Sequence, residues 1–428
     1  MKAFVLKSHA DIGYMEKPYP TLLKPHGAIL RPLFVSPCTS DVHTIWQGSP
    51  KQPNLTLGHE CVAEIVSVGA DVVDFKPGDV VIVSAITPDW SQPDVMENPA
   101  HAGRNFSGHM LGKSIDGAMA EAFYLPYVDK NVAHMPTAMD PDDALMCADV
   151  MQTGLTAVEE ADVQPGDTVV VMGIGAIGLA SIMAAKAAGA SRIFAIGSSE
   201  PNASIARSLS GVSCQIEVLN YKTLHCTLPA GLHPLANSTG SAVVNYVLQE
   251  TGTKGADKVI ICGGSDLSLA QAVDMVKYGT GVVSNVMYFG ADPDLQAEEQ
   301  EALARLRKET SGMQLNQTID GLVIPKFGIG RGMAGKTLKF SLSRGGRPHL
   351  EKTIRLVQEQ NLHPGMFVTE HLHGLDQIEQ SVYDMKNRKA IKISVDLRQG
   401  TPSMTPGSTA CGRDFRWISD SLALSSQM

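Results

Sequence analysis

Residues 168–178 read Thr-Val-Val-Val-Met-Gly-Ile-Gly-Ala-Ile-Gly, and they predict the architecture of the central part of the chain. The apolar run 169–172 predicts a short buried strand, and the glycines that follow predict a tight turn. Residues 179–188 predict a helix of small apolar side chains, and residues 192–196 predict the next strand. A strand, a glycine turn, a helix and a second strand in this order are typical of a parallel sheet covered by helices.

The glycine turn matches the pattern G-x-G-x-x-G at Gly173, Ile174, Gly175, Ala176, Ile177 and Gly178. In such a loop the first glycine makes the turn, the second lets the backbone approach a pyrophosphate, and the third lets the helix pack on the strand. The free N–H groups at the start of the helix then receive the phosphate. The context therefore predicts a dinucleotide site, and the alternative is a tight turn without a ligand.

The end of the second strand indicates which dinucleotide binds, because this position faces the adenosine ribose. Sites for NAD usually carry a carboxylate there, whereas this chain has Gly197, Ser198 and Ser199. Small hydroxyl-bearing residues leave room for a 2′-phosphate, which favours NADP. Glu200 follows directly, and the nearest arginine is Arg207, so NAD remains the alternative.

Two architectures follow one another along the chain. After residue 167, further strands at 258–262 and 281–286 enclose a helix at 267–278, which predicts an α/β, doubly wound parallel sheet. The first 150 residues instead contain short strands, separated by Pro and Gly, that predict an irregular β-barrel: 28–33, 61–68 and 79–83. Residues 211–241 are interpreted as a loop insertion, 291–314 as a solvated helical excursion, and 399–428 as an unstructured tail.

Potential metal ligands occur in the first 150 residues. Catalytic zinc takes three ligands from Cys, His and carboxylate and leaves one position open. Cys38, His59 and Asp149 supply one ligand of each type, and Glu60 is an alternative ligand for the open position. Taken singly, each is an ordinary residue, and Cys147 could compete with Asp149. Their joint occurrence ahead of a dinucleotide loop favours a metal site.

Charge, hydropathy and cysteine pattern argue against several other classes of protein. The formal net charge of −9 argues against a nucleic-acid-binding protein, which needs a basic surface. Residues 168–185 form an uncharged run as long as a membrane span, but its glycines separate a strand from a helix, so we expect no membrane segment. The seven cysteines form no CxxC pair, which favours a reducing, cytoplasmic location.

Several motifs carry a resemblance to a known family, and they lie at 37–43 (Pro-Cys-Thr-Ser-Asp-Val-His), 57–60 (Leu-Gly-His-Glu), 75–79, 86–90 and 149–154. Over about 397 residues the chain resembles the zinc-dependent medium-chain alcohol dehydrogenases, and more narrowly the NADP-dependent secondary-alcohol (isopropanol) dehydrogenases. The resemblance implies a GroES-like β-barrel catalytic domain at 1–152 and 343–398. It also implies a Rossmann cofactor domain at 153–342, interrupted by the two insertions.

The resemblance also assigns roles to single residues. It places the catalytic zinc on Cys38, His59 and Asp149, with Glu60 as the exchangeable ligand, and the proton relay on Ser40 and His43. Besides the glycine loop, it places cofactor contacts on Gly197, Ser198, Ser199, Tyr221, Val286, Met287, Tyr288 and Lys392. In relatives an arginine binds the 2′-phosphate where this chain has Ser199, and a polar residue is usual at Met287.

The implied cofactors are NADP and one catalytic zinc per chain. A structural zinc is not expected, because residues 90–117 contain no cysteine. The implied substrate is a short secondary alcohol or ketone, which would be lined by Ala85, Ile86, Trp90 and Leu342, and the implied assembly is a homotetramer.

Three other interpretations stay open at this point. One is a zinc dehydrogenase that uses NAD and acts on another alcohol or a polyol. A second is a zinc-independent quinone or enone reductase, which shares the two-domain plan but lacks the Cys38, His59, Asp149 set. A third is a non-catalytic dinucleotide-binding relative.

Overall fold

The computed structural model describes residues 1–46, 52–92, 94–97, 99–100, 108–265, 267–287 and 335–398. The predictions for Tyr288, for the excursion at 291–314 and for the tail at 399–428 lie outside the described residues. None of the helices in the described part of the chain is long and apolar enough to span a lipid bilayer.

The N-terminal part of the chain is built mainly of β-strands. They are β1 (Lys2–Ser8), β2 (Asp11–Glu16), β3 (Ala28–Ser36), β4 (Leu55–Thr56), β5 (Glu60–Val68), β6 (Val80–Val83), β7 (Phe123–Leu125) and β8 (Val132–His134). The helices of this part are α1 (Thr39–Trp46), α2 (Val128–Asn131), α3 (Pro141–Ala148) and α4 (Val150–Ala161). Asp140 begins α3 by accepting a hydrogen bond from the backbone N–H of Asp142, and Pro141 fits the first helical position.

The middle part alternates strands and helices. Its strands are β9 (Thr168–Met172), β10 (Arg192–Ile196), β11 (Gln215–Leu219), β12 (Lys258–Ile261), β13 (Val282–Asn285) and β14 (Thr337–Phe340). Its helices are α5 (Ala176–Ala187), α6 (Glu200–Ser208), α7 (Ala242–Glu250) and α8 (Ser268–Met275). Within the described residues the strands are all parallel and lie in the order β11-β10-β9-β12-β13-β14. This is the doubly wound order of dinucleotide-binding sheets, so the predicted fold class is confirmed.

The C-terminal part returns to the N-terminal strands. It contains α9 (Gly346–Glu359), β15 (Val368–His373), α10 (Ile378–Lys386) and β16 (Lys392–Asp396). β16 pairs antiparallel with β3, which gives the described strand order β15-β16-β3-β5-β6-β8 with β7 also on β3. A third sheet has the order β2-β1-β4. The start of β16 therefore lies beside the segment that follows β3.

The two architectures pack together through α4 and α5. A Cβ atom on Gly154 of α4 would come within 2.7 Å of the Cβ of Ala180 in α5, so only glycine permits this approach. Val169, Val170 and Val171 of β9 are fully buried because helices cover both faces of the parallel sheet. The uncharged run 168–185 is thus divided between β9 and α5.

One predicted loop is wrong in part. Residues 211–241 contain β11, which is the edge strand of the parallel sheet, and a short 3-10 helix at Pro234–Asn237. Ile216 and Leu219 of this strand are buried, whereas Gln215, which precedes Ile216, is exposed. An edge strand needs little apolar side-chain area, so its sequence lacks the apolar run that marks a central strand.

Candidate active site

Four side chains with metal-ligand chemistry meet between the β-rich part and the parallel sheet. Cys38 directly precedes α1, His59 and Glu60 lie at the start of β5, and Asp149 lies between α3 and α4. One ligand atom from each lies within 4.8 Å of the other three. A thiol, an imidazole and carboxylates are ligands that zinc takes in proteins, so the donor set fits a zinc ion.

His59 is the centre of this cluster. Its Nε2 atom lies 3.7 Å from Asp149 Oδ2, and its Nδ1 atom lies 3.2 Å from Asp41 Oδ1. Burial disfavours the charged imidazole, but the carboxylates of Asp41 and Asp149 outweigh it and raise the pKa of His59 well above its ordinary value. The carboxylates around His59 therefore stabilise positive charge at this position, and they would stabilise a bound metal cation in the same way.

Asp149 rather than Cys147 faces the cluster. Asp149 interrupts the helical path between α3 and α4, and its Oδ1 atom accepts a hydrogen bond of 2.8 Å from Thr153 Oγ1. Although burial opposes ionisation, hydrogen bonding to His59 and Thr153 lowers the pKa of Asp149. Cys147 lies inside α3 in the hydrophobic core, and burial raises the pKa of its thiol. Asp149 therefore lies in the cluster, and its role as a metal ligand stays a prediction.

Asp41, which was not among the predicted site residues, also lies in this cluster. This buried carboxylate accepts a hydrogen bond of 2.9 Å from the backbone N–H of Cys38, while its other oxygen faces His59. Asp41 thereby connects two of the candidate ligands and fixes the orientation of the imidazole. The sequence does contain an indication of this contact, because Asp41 lies three residues after Cys38. From that position an acidic side chain at the start of a helix can accept a hydrogen bond from the backbone N–H.

The predicted relay residues lie on one face of α1. Ser40 Oγ lies 3.3 Å from His59 Nε2, so its hydroxyl borders the candidate metal position. His43 is three residues further along the helix, on the same side and partly exposed. The structure therefore brings Ser40 to the cluster, and the relay role of His43 stays a prediction.

Lys392 was predicted to contact the cofactor. In the structure its side chain is buried at the start of β16, and Nζ lies 2.7 Å from Glu60 Oε2. Nζ also donates a hydrogen bond of 2.9 Å to the carbonyl of Pro37. The ammonium group thus lies at the metal cluster, and the predicted cofactor contact stays a prediction.

The glycine loop lies at the carboxyl end of β9. Gly173 has φ +83°, and a Cβ there would come within 2.7 Å of Gly263, so the turn requires glycine. A Cβ on Gly178 would overlap the carbonyl oxygen of Gly173. At Gly175, which begins α5, no described atom lies within 4 Å of the Cβ position. This open side next to free helix N–H groups fits a pyrophosphate.

The predicted ribose-binding residues meet at the carboxyl ends of β10 and β11. Ser198 Oγ donates a hydrogen bond of 3.1 Å to the hydroxyl of Tyr221. Ser199 Oγ donates to Asn202, whose amide donates to the carbonyl of Ile174 in the glycine loop. A Cβ on Gly197 would overlap the side chain of Ile174. The hydroxyls and the glycine loop therefore form one continuous edge.

Charge is balanced beside this edge. Arg207 Nη1 lies 2.5 Å from Glu200 Oε1, so the acidic residue that keeps NAD open as an alternative is paired with the nearest arginine. Val286 and Met287 follow β13 at the same edge of the sheet, and Asn285 holds the backbone of Met287 through hydrogen bonds of 2.8 and 3.2 Å. The cofactor roles of these residues stay predictions.

Comparison with protein families identifies two domains, one in the N-terminal, β-rich part of the chain and one in the middle part. Residues 24–137 match the alcohol dehydrogenase GroES-like domain, and residues 176–305 match the zinc-binding dehydrogenase domain. Among solved structures, the alcohol dehydrogenase TADH from Thermus sp. ATN1 superimposes with a TM-score of 0.72 at 24% identity, covering 93% of this chain and all of that one. This likeness confirms the fold.

Two relatives match over nearly their full length. The NADP-dependent isopropanol dehydrogenase of Clostridium beijerinckii is 37% identical over 390 residues, which is 91% of this chain and 97% of that protein. The enzyme of the same name from Entamoeba histolytica is 34% identical over 400 residues, 93% of this chain and 96% of that protein. With both domain matches in place, this chain belongs to the family of zinc-binding alcohol dehydrogenases with a GroES-like domain.

Proposed function

We propose that this protein catalyses the zinc-dependent, reversible transfer of hydride between NADP(H) and short secondary alcohols or ketones of the 2-propanol and acetone type. The relatives named above support the cofactor and the substrate class. The observation that carries the proposal is the convergence of Cys38, His59, Glu60 and Asp149 beside a glycine loop of the dinucleotide type. A zinc-independent reductase would not need these residues.

Within this proposal Cys38, His59 and Asp149 hold the zinc ion, and Glu60 is the exchangeable ligand. When bound, zinc supplies a Lewis acid that makes an alcohol hydroxyl more acidic, and the nicotinamide supplies the hydride acceptor. Asp41 keeps His59 in the tautomer that carries its proton on Nδ1, so Nε2 stays available as a ligand. The residues of the chain therefore hold and orient the reacting groups.

Ser40 and His43 move the proton. The Ser40 hydroxyl, 3.3 Å from His59 Nε2, is placed to accept the proton of an alcohol that occupies the open position. His43, partly exposed on the same face of α1, then passes the proton towards solvent, because an imidazole can both accept and donate a proton. During ketone reduction the same two side chains return a proton to the product oxygen.

The side chains that we propose to line the substrate position are apolar. Ala85 and Ile86 are buried directly after β6, and a Cβ on Gly345 would overlap Ile86, so the C-terminal part closes against this segment. Trp90 is fixed by a hydrogen bond of 2.8 Å from Nε1 to Asn131. With Leu342, these side chains favour small branched substrates over larger polar ones.

The domain boundaries, the assembly and the location belong to the same proposal. We infer a catalytic domain at 1–152 and 343–398 and a cofactor domain at 153–342, which agrees with the pairing of β16 and β3. We infer a cytoplasmic homotetramer, with a single catalytic zinc in each chain. Light scattering of the purified protein tests the tetramer.

Steady-state kinetics with two alcohols and two cofactors tests the function. We expect kcat/KM for 2-propanol to exceed that for ethanol and NADP to be preferred over NAD, with activity lost after treatment with a chelator. A preference for ethanol would contradict the substrate class. A preference for NAD would contradict the cofactor and indicate that Glu200 dominates over Arg207 at the ribose. Full activity after chelation would favour a zinc-independent reductase.

A further inference from the structure

Lys392 and Glu60 form a fully desolvated ion pair at the metal cluster. The side chain of Lys392 is 2% exposed and that of Glu60 is 0% exposed, with 2.7 Å between Nζ and Oε2. The carbonyl of Pro37, one residue before Cys38, accepts a hydrogen bond from the same ammonium group. Lys392 is therefore held in place by the segment that carries a metal ligand.

The two oxygens of Glu60 have different surroundings. Oε2 faces the ammonium of Lys392, whereas Oε1 lies 4.0 Å from His59 Nε2, on the side of the other donors. Among the described residues neither oxygen of Glu60 has a hydrogen-bond partner, and the ion pair of Oε2 with Lys392 is what distinguishes the two. A buried carboxylate with one oxygen paired and one oxygen facing a cation site can turn towards either side.

Charge decides which side the carboxylate prefers. A zinc ion carries two positive charges, and the thiolate of Cys38 with the carboxylate of Asp149 neutralise them. Glu60 is a third anion in a pocket of low dielectric, where it is drawn to any nearby cation. The ammonium of Lys392 offers such a cation outside the metal position. Removing it would leave a buried, unpaired carboxylate, which is strongly unfavourable.

We propose that Lys392 is a positioning residue that holds Glu60 away from the open metal position and so keeps that position available to substrate. The inference rests on the proposed function, because it needs a metal ion at Cys38, His59 and Asp149. It differs from the predicted cofactor contact of Lys392, which would act on NADP affinity. Without Lys392, the carboxylate of Glu60 binds the metal as a fourth protein ligand and competes with the alcohol.

The test uses the protein loaded with Co²⁺, whose visible absorption reports the ligands of the metal. In K392M we expect an altered cobalt spectrum in the absence of substrate. We also expect the KM for 2-propanol to rise at least about tenfold, equal to ~1.4 kcal/mol of competition, with a smaller change in kcat. K392R, which keeps the charge, should resemble the wild type. E60Q/K392M should recover the wild-type spectrum and KM, because an amide no longer competes for the metal.

A buried lysine in the other sheet provides the matched control. Lys258 lies at the start of β12, 4.0 Å from Asp167, and K258M should leave the cobalt spectrum unchanged. If circular dichroism shows that K392M does not fold, K392Q replaces it, because glutamine can still donate to Pro37.

Three outcomes would overturn the proposal: an unchanged cobalt spectrum, no recovery in E60Q/K392M, or an effect confined to NADPH affinity measured by fluorescence titration. The last outcome would instead support the predicted cofactor contact. The proposed function is tested separately, on the wild-type protein, and it fails there if that protein binds no cobalt or zinc or does not oxidise 2-propanol. If the wild-type protein binds metal and oxidises 2-propanol, but K392M has the same cobalt spectrum and the same KM as the wild type, only the proposed role of Lys392 is contradicted.

Discussion

Asp41 determines how two candidate ligands are presented to the metal. Its carboxylate receives the backbone N–H of Cys38 and faces the Nδ1 atom of His59, while the side chain itself is buried. A carboxylate behind a ligating imidazole fixes the ring and increases its basicity. Asp41 therefore affects metal affinity without belonging to the ligand set.

We predict that D41N weakens zinc binding by about 10- to 100-fold, which is the usual cost of losing such a partner. Asparagine keeps the volume of the side chain but removes the charge that orients His59. Competition with a chromophoric chelator measures the affinity. D384N is the matched control, because Asp384 is also buried but lies on α10 beside Lys389. Equal zinc affinity in D41N and the wild type would contradict this role.

The sequence was sufficient to select Cys38, His59, Glu60 and Asp149 as candidates, because these residue types occur together ahead of a dinucleotide loop. It was not sufficient for Asp41 or for the contact of Lys392 with Glu60. An aspartate one position after a serine is common at the start of any helix. Lys392 lies more than three hundred residues from Glu60, and only the pairing of β16 with β3 brings it there.

Glu159 connects α4 to α9 and to the segment just before it by several ion pairs. Its carboxylate lies 2.5 Å from Lys352 Nζ, 3.1 Å from Arg344 Nη1 and 3.3 Å from His349 Nε2. Burial alone would raise the pKa of Glu159, but the hydrogen bonds from His349 and Lys352 outweigh it and lower the pKa to about 2. The ionised form is therefore stabilised by folding, which makes this contact depend on pH.

We predict that E159Q lowers the free energy of unfolding by about 2 kcal/mol at pH 7, the magnitude of hydrogen bonds to a charged group. Since the pKa is lower in the folded state, this stabilisation is complete above the ordinary value near 4.5 and is lost as the pH falls towards 2. Urea unfolding of both proteins between pH 7 and pH 3 measures the difference. E351Q, at the exposed partner of Arg347, is the control and should have little effect. A difference that grows at low pH would contradict the argument.

The central strands of the parallel sheet could be predicted from the sequence, whereas its edge strands could not. The central strands β9, β10 and β12 are continuous apolar runs, since they are buried on both faces, and their sequences predict them well. The edge strands β11 and β14 were not predicted, because each has a partly exposed, mixed sequence that does not differ from a loop. Helix α5 begins at Ala176, three residues before its predicted start, because the glycine loop itself forms the first turn.

The return of the chain to its first sheet is the feature that local patterns could not predict. Repeated strand and helix patterns indicate a parallel sheet, but nothing in residues 343–398 shows which earlier strand they join. Only the resemblance to a known family placed that segment with the N-terminal part. The consequence is that ligands and Lys392, which are distant in sequence, share a single pocket.

We propose that Cys38, His59 and Asp149 bind one zinc ion per chain. The most direct measurement is the zinc content of the purified protein by mass spectrometry, for the wild type, D149A and C147A. We predict one zinc per chain in the wild type and in C147A, and neither zinc nor alcohol oxidation in D149A. If D149A retained its zinc, or if C147A lost its zinc while D149A was unaffected, the assignment of Asp149 as a zinc ligand would be contradicted.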